Sequence, residues 1–334
     1  MQNLSFLSKL KKRMPWNVYR SLHKKIASMD LSLKNTPENP NLWEYIATSK
    51  RSFSLFFWRC VGFYFFGNSA VNRSMILGKV FPSPLYHLLE KHFSGSSDFF
   101  DFDGIKIPKA RTREVSLIFD QEIADLLMSP HVPRPLYAFW EIEGPYEFSN
   151  DEGDVVQVRE NDIVIDAGAN VGLFSAYAVS RGAKAYAFEP NQSVIDEYLS
   201  KTAEWNDNIT ICPYALYNKE DVLEFLLPPD TNIGSGKVGA GGNKEDKTVS
   251  VQAVSLDVFV KKHNLPRVDF IKADIEGAER YMLMGAQETL RVFKPRLALC
   301  TYHLPDDRQV MRDLILKANP SYTIVQEHHK LYAW

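Results

Sequence analysis

The residues best suited to chemistry fall in two short stretches and one dipeptide. The first stretch is Asp166-Ala167-Gly168-Ala169-Asn170-Val171-Gly172, an acid followed by glycines spaced G-x-x-x-G. Glycine removes the side chain where backbone must approach a ligand. Glu189 lies 23 residues after Asp166, where an acid accepts hydrogen bonds from ribose hydroxyls. The second stretch is Val268-Asp269-Phe270-Ile271-Lys272-Ala273-Asp274-Ile275-Glu276-Gly277-Ala278-Glu279, in which Asp274 and Glu276 follow an apolar run. The dipeptide is Tyr302-His303. A G-x-x-x-G alone is weak, since a structural turn beside a chance surface acid produces it too. The ordered set of strand, D-x-G-x-x-x-G, helix, strand and Glu189-Pro190 is far more specific. It points to an adenosine-bearing ligand with no phosphate cradle.

These residues need strands to end beside them. Ile163–Asp166 reads as strand one, with a helix to about Arg181; Ala183–Phe188 reads as strand two, with a helix from Gln192 to about Trp205. Strand three is Ile209–Pro213. The segment 218–254 breaks the rhythm with strands Val222–Leu227 and Thr248–Val254 around the glycine-rich loop Ile233–Asn243. That loop is either a solvated connector or a lid over an acceptor site. Ser255-Leu256-Asp257 caps a short helix. Strand four is Val268–Ala273, and the stripe Ile275, Ala278, Met282, Ala286, Leu290 predicts one helix after it. Arg296–Thr301 is strand five, followed by a helix from Asp306 to about Ala318 and a β pair, Tyr322–Gln326 with Leu331–Trp334. Alternating βα units predict a doubly wound, mostly parallel sheet with helices on both faces. The last two strands, joined by a tight turn, must be antiparallel to each other. In the order 3-2-1-4-5, strands one, four and five are neighbours, which brings Asp166, Asp274 and His303 to one edge.

Upstream, residues 1–98 read as a helical, aromatic-rich region and 99–160 as a small β-containing connector before the domain at 161–334. Phe100–Ile107 predicts a hairpin turning at Asp103-Gly104. Glu122–Met128 predicts a short helix, and Trp140–Phe148 with Asp154–Val158 a pair of strands. The preferred reading of the N-terminal region is a helical extension packed on the main domain. Residues 1–28, with seven Lys/Arg and no acid, also suit a basic anchor on an anionic membrane surface. The apolar run Ser52–Gly67 is too short for a span and carries Arg59. A net charge of -2 gives no electrostatic case for nucleic acid. Three widely separated cysteines suit a reducing cytoplasmic setting, with peripheral contact at the inner membrane face as the companion expectation. Oligomeric state is not legible.

The terminal β pair suits a seven-stranded methyltransferase sheet better than a dinucleotide-binding one. The chain as a whole resembles the FkbM family of S-adenosylmethionine-dependent methyltransferases. The resemblance is carried by DIVIDAGANVG (162–172), FEP (188–190), VDFIKADIEGAE (268–279) and Tyr302-His303, and covers roughly residues 140–334. It implies a class I, Rossmann-like fold and S-adenosylmethionine as cofactor. Asp166, Gly168, Asn170 and Gly172 should then line the methionine part, and Glu189 should hold the ribose. Asn191, Tyr214 or Ala215 should contact the adenine. Asp274 and Glu276 should lie near the sulfonium and the acceptor. Family members are mostly O-methyltransferases of sugars and other hydroxylated metabolites, so a small, sugar-containing acceptor is expected. Methyl transfer is in-line displacement plus removal of a proton. His303, with an ordinary pKa of ~6.5, is the preferred base and Asp274 its rival; a structural histidine is the plainer alternative. Asp274, Glu276 and His303 also offer the oxygen-rich ligation that suits Mg²⁺, although no metal is expected. The runner-up enzyme, an NAD-type oxidoreductase, lacks its G-x-G-x-x-G here. A non-catalytic cofactor-binding module would be signalled by loss of the acids, and all four are present.

Overall fold

A computed structural model describes residues 93–95, 99–102, 104–108, 126, 146–150, 153, 155–227, 235–239, 247–327 and 329–334. The chain divides into two compact units, residues 1–91 with 133–141 and residues 92–132 with 142–334. Every described residue belongs to the second. The helical N-terminal region, its membrane-anchor alternative and nearly all of Glu122–Met128 therefore lie outside the described residues.

The unit opens with β1 (Phe93–Gly95), β2 (Phe99–Phe102) and β3 (Ile105–Pro108). The last two pair antiparallel across Gly104, whose N–H donates to Asp101 Oδ1 at 2.8 Å. The expected hairpin is thus present. Of the expected strands around residue 150, residues 140–145 lie outside the described residues; the described part holds β4 (Phe148–Ser149), paired with β5 (Val155–Val156).

The alternating part follows. Strand β6 (Ile163–Ala167) leads into helix α1 (Leu173–Ser180), and β7 (Lys184–Phe188) into α2 (Gln192–Val194). A π turn at Ile195–Leu199 joins α2 to α3 (Ser200–Trp205), which precedes β8 (Ile209–Cys212). Next come β9 (Ala215–Leu216), β10 (Asp221–Leu226), β11 (Lys237–Val238), β12 (Thr248–Val254) and α4 (Leu256–Lys262). The unit ends with β13 (Phe270–Ala273), α5 (Glu279–Met284), α6 (Gln287–Phe293), β14 (Arg296–Cys300), α7 (Asp307–Ala318), β15 (Ile324–Glu327) and β16 (Lys330–Ala333).

The central sheet has the order β15-β16-β14-β13-β6-β7-β8. Strands β14, β13, β6, β7 and β8 are parallel, and β16 runs antiparallel to both β14 and β15. This is the mostly parallel, Rossmann-like class I sheet with a terminal antiparallel pair. Strand β6 is buried at all five residues, as a parallel strand covered on both faces must be. The larger core lies between the sheet and α4–α7, with Leu256, Met282, Leu290 and Ile315 at 0% exposure. Ser255 caps α4, its Oγ accepting the Val258 N–H, with Asp257 in the first turn and Lys261 and Lys262 in the last. On the other face, the β2–β3 hairpin is tied to α3 by reciprocal bonds between Lys106 and Asn206 and by Phe99 against Trp205 at 5.2 Å.

Two expectations change. The single helix over Ile275–Leu290 is broken into α5 and α6. Ala278, Met282, Ala286 and Leu290 of its stripe are buried and Ile275 half-buried, but the backbone at Gly285 passes so close to Tyr217 that an added Cβ would sit 2.2 Å from its carbonyl oxygen. The loop 233–243 is described only at 235–239, where Lys237–Val238 adds an edge to the separate sheet β11-β10-β12-β9. No helix among the described residues is long and apolar enough to cross a membrane.

Candidate active site

The first turn is built from backbone. The Gly168 and Ala169 N–H groups donate to Phe188 O at 3.1 and 2.9 Å, which docks the turn on the end of β7. Gly168 sits at φ +75°, and a Cβ there would lie 1.9 Å from the carbonyl oxygen of Asp274. Only glycine allows this approach of the β6 and β13 ends. Asn170 and Gly172 also take positive φ, 49° and 87°.

Asp166, expected to line the cofactor, is fully buried. Its carboxylate meets Lys272 Nζ at 3.1 Å and accepts the Ser175 hydroxyl at 2.7 Å. Lys272 also donates to the carbonyls of Gly168 and Ala167 at 2.7 and 3.3 Å. Burial alone would lower the Lys272 pKa; the Asp166 and Asp274 charges outweigh it and hold the ammonium above its ordinary range. Asp166 therefore shapes the turn through Lys272 and Ser175 and offers no exposed oxygen.

Glu189 fits its expected place at the end of β7. It is 7% exposed and accepts the N–H groups of Asn191 (2.8 Å) and Asn170 (3.0 Å). Burial outweighs these donors and raises its carboxyl to about 7. A carboxylate has roughly four acceptor positions, so two remain for further O–H donors. Asn191, expected to flank an adenine, instead caps α2, its Oδ1 accepting the Ser193 N–H at 3.1 Å. Ala215 is buried in β9. Tyr214 lines a cleft of about 440 Å³ with Val254, Phe259 and His263, which shares no lining residue with the carboxylate cluster. Of these three, Asn191 stands beside Glu189 through its backbone N–H, whereas Tyr214 faces a different cleft.

The second cluster stands at the ends of β13 and β14. Asp274 Oδ2 accepts the Tyr146 hydroxyl at 2.7 Å and Oδ1 the Tyr302 hydroxyl at 3.3 Å. Burial would raise the Asp274 carboxyl, but the Lys272, Lys330 and His303 charges and the Tyr146 bond outweigh it and hold it below the usual range. His303 Nε2 lies 3.7 Å from both Asp274 Oδ1 and Glu276 Oε2, and Nδ1 lies 3.1 Å from Glu279 Oε1. Burial would lower the His303 pKa; Glu279 foremost, then Asp274 and Glu276, push it up to about 9. This corrects the expectation of a histidine with its ordinary pKa, because the free protein carries His303 protonated at neutral pH. Asp274, Glu279 and His303 present donor atoms within 4.8 Å of one another. Both Glu279 oxygens already accept backbone N–H groups, and the ion pair of Glu279 with the His303 ring is the shortest contact of the trio.

Sequence reasoning missed Tyr146, whose ring lies under Lys330 Nζ at 4.4 Å and Lys272 Nζ at 5.4 Å. It also gave no role to Glu279. A lysine inside an apolar strand and an acid on the buried stripe of a helix were the available signals for Lys272 and Glu279. Tyr146, 128 residues from Asp274, had none.

Residues 166–332, half of the chain, match the Methyltransferase FkbM domain. The hexuronic acid methyltransferase AglP of Haloferax volcanii is 26% identical over 145 residues, 42% of this chain and 58% of that protein. Methyltransferase sdnD of Sordaria araneosa is 27% identical over 188 residues, 46% of this chain and 72% of that one. The 31-O-demethyl-FK506 methyltransferase FkbM of Streptomyces tacrolimicus is 21% identical over 208 residues, 53% of this chain and 79% of that one. A crystal structure of methyltransferase FkbM from Methylobacillus flagellatus aligns with a TM-score of 0.43 and 18% identity, covering 78% of this chain and 60% of that one. With Asp166 opening the matched range and Glu189, Asp274, Glu279 and His303 inside it, the chain belongs to the FkbM methyltransferase family.

Proposed function

We propose that this protein is an S-adenosylmethionine-dependent O-methyltransferase acting on a hydroxyl of a small, sugar-containing acceptor. The observation that carries the reading is one arrangement: a buried ribose-type acceptor, Glu189, and an acid–histidine group, Asp274 with His303, at the carboxyl ends of strands of one parallel sheet. The cofactor fits these residues. Glu189 keeps acceptor capacity for two ribose hydroxyls, and Asp274 and Glu276, with 24% and 29% of their side chains exposed, favour a cation beside them. When bound, the cofactor supplies an electrophilic methyl group on a positively charged sulfur.

The protein's own task is to orient a hydroxyl and take its proton. His303 is the stronger base of the two candidates. With a pKa of about 9, about 1% is neutral at pH 7, but that fraction accepts a proton far more readily than Asp274, which is held below its ordinary range. A sugar acceptor is supported by the name of the hexuronic acid relative, and oxygen as the methylated atom by that of the 31-O relative, both at low identity. A reducing cytoplasmic setting suits the buried Cys212 and Cys300, neither of which forms a disulfide. The seven Lys/Arg and no acid of residues 1–28 suit contact with anionic lipid.

The test has two parts. Titration calorimetry should show S-adenosylhomocysteine binding, lost or sharply weakened in Glu189→Gln. Transfer of labelled methyl from S-adenosylmethionine should then be screened over free sugars, uronic acids, nucleotide sugars, lipid-linked glycans and non-sugar alcohols. Transfer to a sugar hydroxyl supports the reading, and transfer to a non-sugar alcohol alone overturns the acceptor class. A nicotinamide cofactor co-purifying in native mass spectrometry would overturn the whole. His303→Ala should keep S-adenosylhomocysteine binding within threefold and lose most transfer; full activity would move the proton to Asp274.

A further inference from the structure

Glu279 is a buried acid to which methyl transfer assigns no task. Its side chain is fully buried. An uncompensated carboxylate in that position is costly, so its partners show what it is held for. Oε1 accepts the Ile275 N–H at 2.8 Å and Oε2 the Gly277 N–H at 3.0 Å. Both donors belong to the turn that presents Asp274 and Glu276, and that turn is bent through left-handed backbone at Glu276 (φ 54°) and Gly277 (φ 96°). The same Oε1 lies 3.1 Å from His303 Nδ1. Only 8% of the His303 side chain is exposed, so the ring cannot turn out to solvent, and Nε2 faces Asp274 and Glu276. The remaining groups around the ring are Tyr302, with ring centroids 4.1 Å apart, and, beyond Asp274, the Lys272 and Lys330 cations. Arg280, next to Glu279 on α5, is turned to Asp306 and Asp307 and leaves Glu279 to the histidine.

We propose that Glu279 is a positioning residue: it holds the proton on Nδ1 of His303, so that Nε2 is the nitrogen offered to the acceptor hydroxyl, and it keeps the Asp274–Glu276 turn in register with that nitrogen. This rests on the methyl-transfer reading above. A single carboxylate does both because α5 begins directly after the turn and its first residue faces back under it. The logic is that of a carboxylate orienting a catalytic imidazole, where the acid fixes the tautomer and touches no substrate.

The deciding measurement uses the full chain labelled with ¹⁵N-histidine and saturated with S-adenosylhomocysteine. The His303 resonances are assigned by their loss in His303→Gln, and the pH is raised from 7 to 10.5. The expected neutral form carries its proton on Nδ1; a neutral form protonated on Nε2 overturns the proposal. The wild-type protein answers this whether or not variants at the buried site fold. Glu279→Gln adds a kinetic readout. Its kcat should fall by at least about a hundredfold, with the acid limb of the kcat profile moved to lower pH and the S-adenosylhomocysteine Kd within threefold of wild type. Wild-type kcat and an unmoved acid limb overturn the proposal. Failure of the wild type to bind S-adenosylhomocysteine would strike the methyl-transfer reading itself. Binding together with the Nε2 tautomer would strike only the role of Glu279.

Discussion

Glu189 and His303 both titrate above their ordinary values, for opposite reasons. Glu189 rises to about 7 because burial outweighs its two backbone donors. His303 rises to about 9 against burial, because Glu279, Asp274 and Glu276 hold its proton. A ligand whose hydroxyls donate to Glu189 prefers the carboxylate form. Binding of S-adenosylhomocysteine should therefore tighten about tenfold between pH 6 and pH 8 and level off above. Glu189→Gln should lose that dependence and weaken binding by roughly tenfold or more, since hydrogen bonds to a charged group are worth about 1.5–3 kcal/mol. Calorimetry across pH checks both. For His303 the folded pKa lies above the unfolded value of about 6.5. Its proton thus contributes stability that is complete below about pH 6.5 and lost as pH rises through about 9. The urea midpoint should fall more between pH 7 and pH 10 in wild type than in His303→Gln. If His303 is the base, kcat should climb toward pH 9 at up to tenfold per unit; a plateau already reached at pH 7 would name another group.

At the scale of elements, the site is a meeting of strand ends held by contacts too close for substitution. Gly168→Ala would place a methyl 1.9 Å from the Asp274 carbonyl oxygen, on backbone at φ +75°. Left-handed strain and overpacking together should cost about 2 kcal/mol or more and abolish cofactor binding, measurable by thermal melt and calorimetry. The loop after β14 has its own clamp. Arg280 donates to Asp307 Oδ1 from Nε and Nη2 at 3.0 and 2.6 Å and to Asp306 at 2.7 Å, while Asp307 Oδ2 accepts the Leu304 N–H at 2.8 Å. Asp307 is fully buried, whereas the Asp306 side chain is 64% exposed. Arg280→Ala strands a buried carboxylate and should cost about 3 kcal/mol in urea unfolding. Asp306→Asn should cost under about 1 kcal/mol. Equal effects would show that the clamp does not depend on burial.

Over the described unit as a whole, the last strand is structural centre rather than appendage. β16 enters between β14 and β15, and all four of its residues are buried. It also delivers Lys330 to the Tyr146 ring, and that tyrosine bonds Asp274. A chain ending at Ala318 would leave Leu297 and Leu299, both at 0% exposure, on an open sheet edge. It should show no cooperative thermal transition by circular dichroism. Retained cooperative unfolding would mean that the five parallel strands stand alone.

The amino-acid sequence by itself determined the parallel alternation, the strand-end acids Glu189 and Asp274, and the glycine turn between β6 and α1. Each is written in a pattern of a few neighbouring residues, which period and turn chemistry make local. Tertiary structure decided what those side chains do. It withdrew Asp166 into a buried pair with Lys272, spent Asn191 on a helix cap, and broke the helix after Asp274 where Gly285 meets the Tyr217 carbonyl. It brought Tyr146 across 128 residues to Asp274 and placed Glu279 against His303. Burial and charge, and with them the proton affinity of His303, depend on neighbours that the chain supplies from distant positions. No local spacing encodes them.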